Sequence, residues 1–208
     1  MKHFIDLGTH LFEGLEEFTT KLNIDETFCV YCYEPNIFVY EKSKELSEKY
    51  KNKFKVFEHN NSAVMNYNGE ITFNSHKGAW KSNGEYISEY DYGSNCLDIN
   101  PIRDVACGAV FDIIQYKCAC IDINDILNKI YNFDNDAIIY IKCDLEGSEF
   151  EILPRIIESP HKNLIKELHI EWHERFWHDT QDYNKKIIDK KQIINTLNNF
   201  NINCFDHH

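Results

Sequence analysis

The 208-residue chain lacks several features that particular function classes require. It has no apolar run near the roughly 20 residues that cross a bilayer, which excludes a membrane-spanning helix. It has no charged-then-apolar leader, because Asp6 interrupts the first apolar run almost at once. Basic residues are scarce: 22 Lys and Arg stand against 34 Asp and Glu, giving a net charge of −12 with no basic cluster. Nucleic acid and acidic membrane surfaces are therefore poor partners. Glycine is also scarce, and no G-x-G-x-x-G occurs to seat a pyrophosphate on a helix end. Cysteine is plentiful but badly spaced for a metal. Cys29 and Cys32 lie three apart in a strand and so face opposite sides. Cys118 and Cys120 can share a strand face, yet no second pair accompanies them. Free buried thiols in a reducing cytoplasm are the expectation.

The chain contains an alternation of apolar runs and helical patterns, in the proportions of an ordinary soluble globular protein (43% hydrophobic, 27% charged). Its length fits one domain, residues 1–208. Phe4-Ile5-Asp6-Leu7-Gly8 reads as a strand and a glycine turn, and Leu15, Phe18 and Leu22 mark a helix face behind it. Phe28–Tyr33 is a second strand closed by Glu34-Pro35-Asn36. A polar helix over 37–50, with Phe38, Leu46 and Tyr50 inward, and a strand at 54–57 follow. Residues 66–115 break the rhythm: Asn, Gly, Ser and Tyr dominate, and residues 69–73 alternate like one arm of a hairpin. Such a segment reads either as a substrate-binding insertion or as a surface loop without a role. The rhythm then resumes with a helix capped by Asp122 or Asn124, a strand at 137–143, a helix with Phe150, Leu153 and Ile157 inward, a strand at 164–170, a helix at 190–200 and a strand at 202–205. This predicts an α/β, Rossmann-like, mostly parallel doubly wound sheet with helices on both faces.

The candidate chemistry lies at strand ends. Asp6 and Gly8 form a turn that a ligand can approach closely, and Glu34 sits where such folds grip ribose hydroxyls. Asp144 ends the strongest apolar strand and Glu171 ends its neighbour. The two can share a divalent metal, or one can act as a base with its pKa raised by the other. His169, Glu171 and His173 share one strand face; His173 reads as base, ligand or loop residue, and His169 as a core residue. His10 is a candidate to face an acceptor. Glu146 and Glu149 read either as acids that stabilise the first turn of a helix or as functional groups. Trp80, Trp172 and Trp177 are candidates for a sugar-stacking floor or for core packing.

Four stretches, in order, resemble the FkbM-type family of class I S-adenosylmethionine-dependent methyltransferases: Phe4-Ile5-Asp6-Leu7-Gly8, Tyr31–Asn36, Ile141-Lys142-Cys143-Asp144-Leu145-Glu146-Gly147-Ser148-Glu149 and Leu168-His169-Ile170-Glu171. The resemblance implies that Asp6, Gly8 and His10 shape the turn beside the methionine end of the cofactor, that Glu34 holds the ribose, and that Ser62 and Ala63 line the adenine. It implies O-methylation of a small polar acceptor, a sugar or glycan unit above all. Asp144, Glu171 and His173 would be the catalytic groups, with Asp144 and Glu171 holding a metal such as Mg. The family carries a glycine where this chain has Phe12, which leaves three alternatives: a reshaped turn, a cofactor tail that sits differently, or a dead site in a non-catalytic cofactor-binding or scaffold domain. An RNA cap-type methyltransferase is disfavoured by charge, and an NAD-dependent enzyme by the crowded turn. Cytoplasmic localisation and a homodimer in which one copy supplies the lid to another are further expectations.

Overall fold

The computed structural model describes residues 1–77, 81–82, 85–86, 94–96, 112–178 and 180–207. Its centre is a six-stranded sheet of β1 (Lys2–Leu7), β2 (Phe28–Tyr33), β3 (Val56–Asn60), β9 (Ile138–Cys143), β10 (Ile165–Ile170) and β11 (Asn203–Asp206). The spatial order is β11-β10-β9-β1-β2-β3, and every neighbouring pair is parallel. The burial follows from that order. β2 is buried along its whole length and β1 and β9 beyond their first residues, whereas the outer strands β3 and β11 are half-buried or exposed. Parallel strands covered on both faces need continuous rather than alternating apolar residues, and the sequence of β2, FCVYCY, meets that need.

The two faces are built differently. One is aliphatic: Ile5, Leu7, Ile139 and Ile141 pack with Ile126, Leu127 and Ile130 of α3 (Ile123–Phe133), Ile152, Leu153 and Ile156 of α4 (Glu149–Glu158), and Ile193 and Leu197 of α5 (Tyr183–Asn199). The other is aromatic: Phe4, Phe12, Phe28, Tyr50 and Phe54 surround Leu15 and Phe18 of α1 (Glu13–Lys21). Cys29 belongs to the first core and Cys32 to the second, so the C-x-x-C pair is split by the sheet.

A second, three-stranded sheet joins β4 (Ala63–Met65), β5 (Gly69–Lys77) and β8 (Asp112–Asp122) in the order β4-β8-β5, with β5 antiparallel to β8. β5 is the expected hairpin arm. Its partner β8 spans the end of the irregular 66–115 segment and the start of the next helical pattern, so no turn signal marks its bounds. Two short strands, β6 (Lys81–Ser82) and β7 (Glu85–Tyr86), pair with each other. Residues 78–80, 83–84, 87–93 and 97–111, including Trp80, lie outside the described residues. Cys118 and Cys120 do share a face, and Cys96 packs against them.

Three local expectations need correction. In α2 (Ile37–Ser47), Phe38 and Leu46 are exposed; the buried face is Val39, Ser43 and Ser47, continued by Tyr50. Asn36 sets that phase by accepting the Phe38 N–H in its side chain, which fixes the first helical turn. α5 begins at Tyr183, seven residues before the apolar periodicity becomes readable, because its first turns are lysine-rich and half-exposed. Trp172 and Trp177 pack against Phe150 in the core and so do not form a floor for a sugar. Among the described residues no helix is long and apolar enough to cross a membrane.

Candidate functional site

The strand order reverses between β1 and β9, and the chain leaves their carboxyl ends in opposite directions, which opens a crevice. A cleft of about 270 Å³ lies there. Its wall includes Gly8, His10, Glu13 and Glu17 from the first turn and α1, Glu34 and Asn36 after β2, Ala63 to Met65 of β4, and Lys142, Asp144 and Glu146 after β9. Ser94, Asn95 and Cys96 of the interrupted segment also contribute.

The first turn is shaped by its neighbours. Gly8 has φ +78°, and a Cβ there would sit 1.9 Å from the Asp144 carbonyl oxygen, so only glycine fits. Lys142 crosses beneath this turn. Its Nζ donates to the Gly8 carbonyl at 2.9 Å and lies 3.4 Å from Asp6 and 3.3 Å from Asp144. A Cβ on Gly14 would meet the Lys142 stem at 2.7 Å, so the second glycine makes room for the lysine rather than for a ligand. Burial alone would push Lys142 toward the neutral amine; the carboxylates of Asp6 and Asp144 overcome it and raise its pKa. Asp6 and Lys142 are register partners on adjacent strands, which is why a charge can occupy an otherwise apolar strand.

Phe12 adopts a left-handed, glycine-like backbone, φ +73°. Its ring points away from the cleft and packs on Tyr50, Phe57 and His59. Packing in the aromatic core offsets a backbone strain of about 1–2 kcal/mol.

Glu34 is held from both sides: its Oε2 accepts the His10 N–H and its Oε1 the Asn36 N–H, each at 2.8 Å. Burial raises its pKa to about 7 despite those two donors. His10 lines the cleft with Nδ1 3.2 Å from Glu13. Of the expected adenine pair, Ala63 lines the cleft; Ser62 is buried but absent from the wall.

Beside Asp144 and Glu146 of that wall stands His173, fully buried. Its Nδ1 is 2.8 Å from Glu149, and its Nε2 faces Glu146 at 3.3 Å, Glu171 at 3.4 Å and Asp144 at 3.8 Å. Burial opposes charge on the ring, yet the surrounding Glu149, Glu171 and Glu146 raise its pKa to about 10. Its contact with His173 holds Glu171 down at about 2 against the effect of burial. The idea of a base whose pKa is raised by a neighbouring acid is therefore reversed at Glu171, because the imidazole between the acids dominates. Glu146 is presented by two successive left-handed residues, Glu146 at φ +50° and Gly147 at φ +104°. Glu149, for which the sequence leaves helix stabilisation and a site role open, is fully buried and accepts the Leu145 N–H as well as facing His173. His169 is a core residue, stacked on Phe205 with Nε2 3.2 Å from Glu167.

The sequence reading passed over Lys142 as a functional residue, although a charged residue inside the most apolar strand was the available signal. The chain matches no protein-family model, no curated protein and no solved structure.

Proposed function

We propose that this protein is an S-adenosylmethionine-dependent O-methyltransferase acting on a small polar acceptor, most plausibly a sugar or glycan hydroxyl. The observation that carries the reading is the charge of the cleft. Among the described residues Glu13, Glu17, Glu34, Asp144 and Glu146 line it, against one lysine, Lys142, which is already engaged by Asp6 and Asp144. A ligand bearing a sulfonium and an ammonium suits such a wall, whereas a pyrophosphate would be repelled by it. Glu34 is fixed by two backbone donors, which leaves its carboxylate oxygens able to accept ribose hydroxyls. The Gly8 turn supplies the close approach. When bound, the cofactor supplies a methyl group bonded to a positive sulfur.

The chain's own residues then have three tasks. Glu34 and the Gly8 turn orient the ligand at the switch point. Asp144, a quarter exposed and on the wall of the same cleft, receives the acceptor hydroxyl's proton. Lys142 fixes the position of that carboxylate from beneath.

One observation favours a second reading. The six parallel strands in this order reproduce the arrangement of dinucleotide-binding folds. Thermal unfolding with S-adenosylmethionine, S-adenosylhomocysteine and NAD separates the two. A ligand at 100 times its Kd adds about 2.7 kcal/mol, or about 5–10 °C for a chain of this size. A shift with the two sulfur ligands, lost in Glu34→Ala, supports the methyltransferase. A shift with NAD alone replaces it with a dehydrogenase-like reading, and no shift with any ligand leaves a degenerate scaffold.

A further inference from the structure

We propose that Asp144, Glu146 and His173 form a site for a divalent first-row transition ion, with Glu149 as the residue that aims the histidine. This proposal stands on the side-chain geometry and does not rest on the methyltransferase reading.

One carboxylate oxygen of Asp144, one of Glu146 and a ring nitrogen of His173 all lie within 4.8 Å of one another. Acidic clusters of that size are common, so the cluster alone carries nothing. The second observation is His173 itself. The ring is fully buried, and Nε2 makes no hydrogen bond although carboxylate oxygens of Glu146, Glu171 and Asp144 lie 3.3, 3.4 and 3.8 Å from it. The opposite nitrogen, Nδ1, is 2.8 Å from Glu149, a carboxylate that is also fully buried and is pinned by the Leu145 N–H at 2.9 Å. A carboxylate that binds Nδ1–H selects the tautomer whose Nε2 carries a lone pair and directs that lone pair at the acids. This carboxylate–histidine pairing is how metal-ligating imidazoles are oriented.

The donor set also chooses the ion. Mg prefers oxygen donors alone, whereas one imidazole nitrogen among carboxylates suits ions of the Mn, Fe, Co and Zn class. The expected Asp144–Glu171 pair for Mg is therefore revised: Glu146 and His173 enter the ligand set. Glu171, which is 3.6 Å from Arg175, borders it. Asp144 and Glu146 are also cleft-wall residues, so a coordination position left open would face a ligand in the cleft.

The rival state is a proton on Nε2, an imidazolium held among acids with no metal. Isothermal titration of the EDTA-stripped full chain with Zn²⁺, Mn²⁺ and Mg²⁺ distinguishes the two. Wild type and His207→Ala/His208→Ala are compared so that the terminal histidine pair is accounted for. One equivalent of Zn²⁺ or Mn²⁺ should bind in both, with Mg²⁺ at least about 100-fold weaker. Asp144→Asn and His173→Gln should abolish that equivalent, and Glu149→Gln should weaken it about 10- to 100-fold. Asp144 is partly exposed, so its variant keeps the test decisive if the buried histidine variant does not fold. Substitution with Co²⁺ adds a visible absorption band that shifts on loss of the imidazole. Absence of binding, binding unchanged in Asp144→Asn, binding lost with the terminal histidines, or Mg²⁺ as tight as Zn²⁺ would each overturn the proposal.

Discussion

Lys142→Met tests the electrostatics beneath the first turn. In the native protein Lys142 lies 3.4 Å from Asp6, and both side chains are almost completely buried. Methionine retains the stem that packs against Gly14 but removes the cation, which leaves the Asp6 carboxylate in the core with no counter-charge. Breaking a buried pair by removing one partner destabilises by about 3–5 kcal/mol. At 2–4 °C per kcal/mol the Tm falls by about 6–20 °C. The loss should depend on pH. Burial already raises the Asp6 pKa, and Lys142 is the main opposing influence, so its removal raises that pKa further. For an acid whose folded pKa is raised, stability is fully present below the unfolded value near 3.9. It falls as pH rises, by about 1.4 kcal/mol per unit, until the folded pKa is passed. As pH falls from 7 to 5 the variant should therefore recover part of its deficit relative to wild type. Urea unfolding followed by circular dichroism at the two pH values measures this. The double variant Asp6→Asn/Lys142→Met should regain most of the loss at pH 7, because the pair is coupled. A deficit under about 1 kcal/mol that is the same at both pH values would refute the reasoning, since Asp6 would then carry no charge for Lys142 to neutralise.

Three further outcomes are expected. Glu34 has a folded pKa raised to about 7, so wild-type stability should fall relative to Glu34→Gln as pH rises from about 4.5 to about 7. The divergence is about 3 kcal/mol, and parallel pH profiles in urea unfolding would contradict the burial of its charge. Phe12→Ala should cost about 3–5 kcal/mol of packing, whereas Phe12→Gly should be about 1 kcal/mol less damaging because it relieves the left-handed strain at φ +73°; alanine outperforming glycine in chemical denaturation would argue against that strain. Gly8→Ala should abolish the thermal shift given by S-adenosylhomocysteine, because its Cβ would displace the Asp144 carbonyl; a retained shift would separate ligand binding from this turn.

The parts of the fold visible in the sequence are those with strong local signals. β1, β2 and β9 are continuous apolar runs with acids at their ends, so their order and burial could be read directly. β11 could be placed in sequence but not in space, because its parallel pairing with β10 depends on α5 returning the chain across the sheet. Glu34 and Asp144 were legible as strand-end acids. Glu149 was not: its role arises from a contact with His173, 24 residues away, whereas its local context offers a sufficient reason for an acid at the start of a helix. Phe12 was ambiguous for a related reason. A bulky residue at a glycine position implies either altered backbone or stored strain, and only the direction of the ring distinguishes them.

The seam between β1 and β9 has a consequence for how the protein is made. Lys2 pairs with Phe28 on one side and with Ile138 on the other. At about 5–20 residues per second, the first partner is synthesised within seconds, while the second arrives roughly 7–30 s after β1. Throughout that interval the nascent sheet of β1, β2 and β3 has an uncapped edge along β1, and Asp6 has no lysine. An open edge of this kind is a template for pairing with another chain. The boundary that later frames the ligand cleft is thus, during translation, the surface in greatest need of a chaperone.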